Sequence, residues 1–237
     1  MGNLICLFLL RAIQGEIIVA DKDNRIQVVD RNGNFLFKFG SKGNGNGQFD
    51  DPCGVTVDQR NNQIVVADAS NNRIQIFDEK GTFLRAFGSK GDGNGQFSRP
   101  YGVVVDQQGH YVVADGWNHR IQNFNSQGLF VRKFGSEGAG NGEMKGPIGV
   151  GLLSNGNIVA SENGGHRLQI FDPQGNFVRI VGAGQVKNPF HLFVDSDDNI
   201  LVADADRIQV FHQNGNHIKT VGSGKISTPR GICMDRE

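Results

Sequence analysis

Short apolar runs, three to six residues long and separated by Gly, Asn, Asp and Pro, make up nearly the whole chain. One run recurs as "EIIVAD" (16–21), "QIVVAD" (63–68), "HYVVAD" (110–115), "NIVASE" (157–162) and "NILVAD" (199–204). A second follows each after a polar loop: "RIQVVD" (25–30), "RIQIFD" (73–78), "RIQNFN" (120–125), "RLQIFD" (167–172) and "RIQVFH" (207–212). Val, Ile and Phe within such runs, with turn residues at both ends, predict β-strands. No stretch carries a helical period.

Two further runs complete the unit. A Gly-containing turn leads to "FLFKFG", "FLRAFG", "FVRKFG", "FVRIVG" or "HIKTVG", and a glycine-rich loop then leads to "PCGVTVD", "PYGVVVD", "PIGVGLL", "PFHLFVD" or "PRGICMD". We name the Pro-Gly strand a, the VAD strand b, the RIQ strand c and the FG strand d. Four strands in about 40–48 residues, repeated five times, predict an all-β fold, a β-propeller of four-stranded blades. Residues 15–237 form the propeller on this reading, and residues 1–14 an atypical apolar segment. The regular part starts on a strand b (16–21) and finishes on a strand a (229–235). Pairing these two closes a five-bladed ring with one blade shared between the ends and removes exposed edges. A six-bladed ring cut short gives the same pattern.

Composition narrows the function. Lys plus Arg equals Asp plus Glu, 24 each, so a site for a polyanion must be local rather than a whole basic surface. Nothing points to DNA specificity. Cys6, Cys53 and Cys233 lack CxxC spacing, which argues against a disulfide framework and a zinc site and fits a reducing, cytoplasmic setting. The apolar run from Leu4 to Leu10 is too short to span a bilayer, and Gly2 lacks the Ser/Thr that myristoylation expects at position 6.

The phrases "NHRIQNF" (118–124), "GHRLQIF" (165–171), "RPYGVVVD" and "GNGQF" resemble NHL repeats, most closely those of the C-terminal propeller of tripartite-motif (TRIM) proteins. The resemblance spans about residues 15–237. It implies a binding propeller, usually of six blades, attached in the full TRIM architecture to ubiquitin-ligase domains that this sequence does not contain.

Recurrence separates scaffold from site. Asp21, Asp68, Asp115, Glu162 and Asp204 end strand b, and Arg25, Arg73, Arg120, Arg167 and Arg207 begin strand c. A carboxylate and a guanidinium facing across a short loop in every blade read as a structural brace. Asp58, Asp106, Asp195 and Asp235 end strand a, and read as turn residues because Leu153 breaks any ring of carboxylates. The loop "GSKGNGNGQF" lacks a phosphate-loop signature and no helix follows it.

Function is expected where repeats differ. The residue after each strand-a proline varies: Cys53, Tyr101, Ile148, Phe190, Arg230. These residues and the b–c loops are predicted to converge at one mouth of the channel, a face of mixed charge with aromatics, while the other face is acidic. The TRIM–NHL resemblance implies single-stranded or hairpin RNA on that face, carried by Tyr101, Trp117, Asn118, His119, Arg120, His166, Arg167, Phe190 and Arg230. Aromatics stack on unpaired bases, at about 1–3 kcal/mol each, and cations neutralise phosphates. The alternative is a protein-interaction propeller that recruits substrates for a TRIM-type ligase, since aromatic tips serve protein interfaces equally well. Of six scattered histidines only His191 approaches the channel. The expectation is therefore a protein with no catalytic residue, metal or cofactor.

Overall fold

A computed structural model describes residues 10–12 and 16–232. The protein is a five-bladed propeller of four-stranded antiparallel sheets, each in the order a-b-c-d. Blade 1 comprises Leu10–Ala12, Glu16–Asp21, Arg25–Val29 and Phe35–Phe39. Blade 2 comprises Pro52–Asp58, Gln63–Asp68, Arg73–Phe77 and Phe83–Phe87. Blade 3 comprises Pro100–Val105, Tyr111–Asp115, Arg120–Phe124 and Phe130–Phe134. Blade 4 comprises Pro147–Leu152, Ile158–Glu162, Arg167–Phe171 and Phe177–Val181. Blade 5 comprises Pro189–Val194, Asn199–Asp204, Arg207–His212 and His217–Val221. No helix among the described residues is long and apolar enough to cross a membrane.

The first blade differs in detail from the expectation. Its inner position is held by Leu10–Ala12, which pairs antiparallel with Glu16–Ile18, and not by the predicted strand at the other end of the chain, whose described residues are 229–232. A strand only a few residues away closes a far shorter loop than one returning from the other end of the chain. Part of the predicted segment 1–14 therefore belongs to the blade. Pro229–Ile232 form no strand; instead the Arg230 carbonyl accepts a hydrogen bond from His191 N at 3.2 Å, beside the inner strand of blade 5. Residues 1–9 and 233–235, on which the targeting readings and the end of the last predicted strand fall, lie outside the described residues.

The core lies between blades. Strands b and c present one apolar face to the blade before and another to the blade after, so their burial runs continuously rather than alternately. The first three junctions set the last Phe of one strand d against the last Phe of the next strand c in a tilted pair: Phe39–Phe77, Phe87–Phe124 and Phe134–Phe171 all have centroids 4.9 Å apart. A residue of the glycine-rich loop plugs the same space, namely Phe49, Phe97, Met144 or Val186, all buried. At the hub, inner strands of successive blades come close enough to require glycine. A Cβ on Gly102 would lie 2.5 Å from the Ile148 carbonyl oxygen, and Gly54 meets the Tyr101 carbonyl in the same way. Every outer strand carries a bulge whose extra residue (Leu36, Leu84, Val131, Val178 or Ile218) points to solvent. Such bulges twist an edge strand away from further pairing.

Turn chemistry follows the sequence. Asp30 accepts bonds from Asn32 N and Asn34 N, both at 2.8 Å, and Asp78, Asp106, Asp172 and Asp195 repeat the pattern in their own turns. The side chain of Asn34 holds the Asp30 carboxyl below its ordinary value, and that of Asn176 does the same for Asp172.

Candidate functional site

Beneath the b–c face lies the brace that recurrence predicts. Asp115 Oδ2 accepts from Arg120 Nε (2.8 Å), Asn118 Nδ2 (2.9 Å) and Gln122 Nε2 (3.0 Å), while its Oδ1 takes Ser98 N (2.8 Å). Arg120 then donates to the carbonyls of Asp92, Gly93 and Gln96 in the glycine-rich loop. Blade 4 repeats the network: Glu162 accepts from Arg167 and Gln169, which also donate to the carbonyls of Ala139, Gly140 and Glu143. Burial pushes the Asp68 and Asp115 carboxyls up even though their guanidinium partners pull them down. The glutamine of the RIQ phrase, which recurs in all five repeats, is a full member of the brace. That recurrence was the available signal for it.

The predicted site residues therefore divide. Arg120, 5% exposed, and Arg167 spend their donors inside the brace, and Asn118 bonds Asp115 and the Gly91 carbonyl. Arg120 and Arg167 are buried, and Asn118 is half-buried. His119 and His166 sit in left-handed backbone (φ 54° and 52°) and clasp the following blade. His119 Nδ1 accepts from Gly146 N at 3.0 Å, and His166 Nδ1 meets the Lys187 carbonyl. Asn24 and Asn72 do the same in blades 1 and 2, accepting from Asp51 N and Arg99 N.

Two groups remain at the mouth. Arg99 lies between two rings, its guanidinium carbon 5.2 Å from the Trp117 centroid and 5.7 Å from that of Tyr101. It donates to Tyr101 Oη (3.1 Å) and Ser70 Oγ (3.2 Å) and pairs with Asp51. The Tyr101 ring rests on Gly116, where a Cβ would stand 2.5 Å from Cε2. Burial pushes the Tyr101 hydroxyl up. Trp117 tops the cluster at 63% exposure, on a single turn of 3₁₀-helix, Gly116–Asn118. The second group pairs Arg230 with Phe190 at 5.1 Å, and Arg230 Nη1 is buried with no hydrogen-bond partner among the described residues. Sequence reasoning did not place Arg99 among the site residues. Its central place comes from φ 52° just before Pro100, which turns its side chain across the blade junction.

Residues 49–77 and 97–124 match the NHL repeat family. The chain is a five-bladed β-propeller that carries NHL repeats. No curated protein matches the sequence of this NHL propeller. Among solved structures it is similar to a protein of unknown function from Bacteroides caccae, at 15% identity and a TM-score of 0.76, covering 98% of this chain and 87% of that one. It is similar to a chain of a nidogen/laminin complex, at 17% identity and a TM-score of 0.79, covering 95% and 82%. It is also similar to a catalytically inactive virginiamycin B lyase from Staphylococcus aureus with quinupristin, at 16% identity and a TM-score of 0.69, covering 97% and 74%. At these identities the likeness is one of fold. In this NHL propeller no three His, Cys, Asp or Glu side chains among the described residues come together as a metal-binding group. A cavity of about 940 Å³ opens at the other mouth, among the a–b turns, away from every residue of the predicted site.

Proposed function

We propose that this NHL propeller is a non-enzymatic binding platform that takes single-stranded or hairpin RNA where the b–c loops meet the starts of the inner strands. The observation that carries the reading is Trp117, held by Arg99 on one side and left 63% exposed. A ring fixed from below and open above accepts an unpaired base at little ordering cost. Arg230 supports it: a phosphate oxygen would satisfy the buried Nη1 that has no partner among the described residues. The TRIM–NHL resemblance points the same way, and the three unpatterned cysteines support a reducing, cytoplasmic setting. A second reading, a protein-recruiting propeller of a TRIM-type ligase, draws on the same residues, since Trp, Tyr and Arg dominate protein interfaces. The nidogen/laminin likeness favours it to the extent that a similar fold stands in a protein complex.

Trp117 is the only tryptophan, so quenching of its fluorescence reads occupancy directly. Titration with a single-stranded RNA oligonucleotide is expected to quench it, with an affinity that falls steeply as salt rises. By anisotropy of labelled RNA, the folded double variant Trp117→Ala/Arg230→Gln is expected to bind roughly 5- to 150-fold more weakly, the loss of about 1–3 kcal/mol from one stack alone. RNA that neither quenches Trp117 at low salt nor senses the double substitution ends the RNA reading. Salt-insensitive capture of a protein through the same residues would favour the second.

A further inference from the structure

The junctions between blades are built alike, and one of them departs from the pattern. The fourth residue of strand c faces the next blade, and is Val28, Ile76, Ile170 or Val210 in blades 1, 2, 4 and 5, all buried. In blade 3 it is Asn123. Its Oδ1 is buried and has no hydrogen-bond partner among the described residues. An unsatisfied acceptor at an interblade position costs stability and calls for a donor.

The preceding junction shows what such a space holds. Between blades 2 and 3 the Tyr111 ring is fully buried against Val65 and Ile76, and Arg85 Nη2 donates to Tyr111 Oη at 2.8 Å and to the Ser126 carbonyl at 2.8 Å. Between blades 3 and 4 the corresponding residues are Val112, Asn123, Ile158 and Arg132, and Arg132 Nη1 donates to the Pro173 carbonyl at 2.8 Å. The anchoring arginine is thus retained, while the phenol has become the smaller Ile158. These four residues line the cavity of about 940 Å³ at the a–b mouth, a volume typical of small-molecule sites. The same cavity is lined by Asp106, Asp195 and Asp198, with Arg60, His110 and Arg132 as its basic groups and Asp58 paired to Arg60 at 2.7 Å.

We propose that the junction of blades 3 and 4 binds a small hydroxyaromatic ligand with a cationic tail. The ring stands where Tyr111 stands one junction earlier. Its hydroxyl donates to Asn123 Oδ1 and accepts from Arg132, and the tail lies toward the carboxylates of the mouth. This site is separate from the RNA-binding mouth, and neither reading depends on the other.

The probes are tyramine, phenethylamine (no hydroxyl) and 4-hydroxyphenylacetate (anionic tail), titrated into the intact protein and followed by calorimetry and ligand-detected NMR. Tyramine is expected to bind saturably, and each of the other two roughly tenfold more weakly or worse. Asn123→Val, which installs the residue of blades 1 and 5, is expected to abolish binding. Ile158→Tyr, which restores the filled junction, is expected to abolish it while raising the thermal midpoint, so that loss of binding cannot be read as unfolding. No saturable binding of tyramine up to millimolar concentration overturns the proposal. So does equal binding of the three probes, or binding unchanged in either folded variant.

Discussion

His191 stands at the hub where the inner strands of blades 2, 3 and 4 carry Gly54, Gly102 and Gly149. Burial pushes its imidazole down to about 3 from 6.5. The folded protein therefore holds this ring neutral, whereas the unfolded chain protonates it near its ordinary value. For a base with a depressed pKa, the folded state has its full stability above 6.5 and loses it as pH falls toward 3. Each pH unit in that window is worth about 1.4 kcal/mol, so between pH 6.5 and pH 5 the loss reaches about 2 kcal/mol. That is a sizeable share of the roughly 5–15 kcal/mol of a typical domain. Urea denaturation at pH 7.5 and pH 5 measures it, with His191→Gly as the reference and His191→Gln if the glycine variant is too unstable. The wild type is expected to lose about 2 kcal/mol more than the variant between the two pH values. The turn carboxylates of Asp30, Asp78 and Asp172, held below their ordinary values, give up their stability only at still lower pH. The raised carboxyls of Asp68 and Asp115 work in the opposite sense, and all five are common to both proteins, so they cancel in the difference. Equal pH dependence in wild type and variant would refute the reasoning.

The brace and the mouth make two further predictions. Arg120→Ala leaves the fully buried Asp115 carboxylate without its counter-ion and the Asp92 and Gly93 carbonyls without their side-chain donor, and is expected to cost about 3–5 kcal/mol by chemical denaturation. A cost under about 1 kcal/mol, ordinary for a surface pair, would show that the brace is not structural. Gly116→Ala drives a methyl into the Tyr101 ring and is expected to shift Trp117 emission and weaken RNA binding several-fold while the far-ultraviolet circular dichroism stays that of a β-protein. Unchanged emission and affinity together would remove Tyr101 from the site.

Much of the architecture was legible in the sequence because it is local and repeated. Alternating apolar runs fix where strands form, Asp and Gly fix their turns, and five repetitions in register leave a propeller as the closed arrangement that buries both faces of each sheet. The Asp–Arg brace was legible for the same reason, since a contact needed in every blade is written in every blade. Tertiary structure decided what depends on residues meeting across a junction. Leu10–Ala12 took the inner place in blade 1 through a short return that no repeat announces. Asn118, Arg120 and Arg167 were expected among the ligand-binding residues, yet the loop carbonyls above them absorb their donors. Arg99 came to lie between Tyr101 and Trp117 because its backbone turns left-handed before a proline. The cavity beside Asn123 is assembled from residues of four blades, with Ile158 standing where the preceding junction has Tyr111. Strand pattern is a property of one segment; a pocket is a mismatch between two segments, and no single stretch of sequence encodes it.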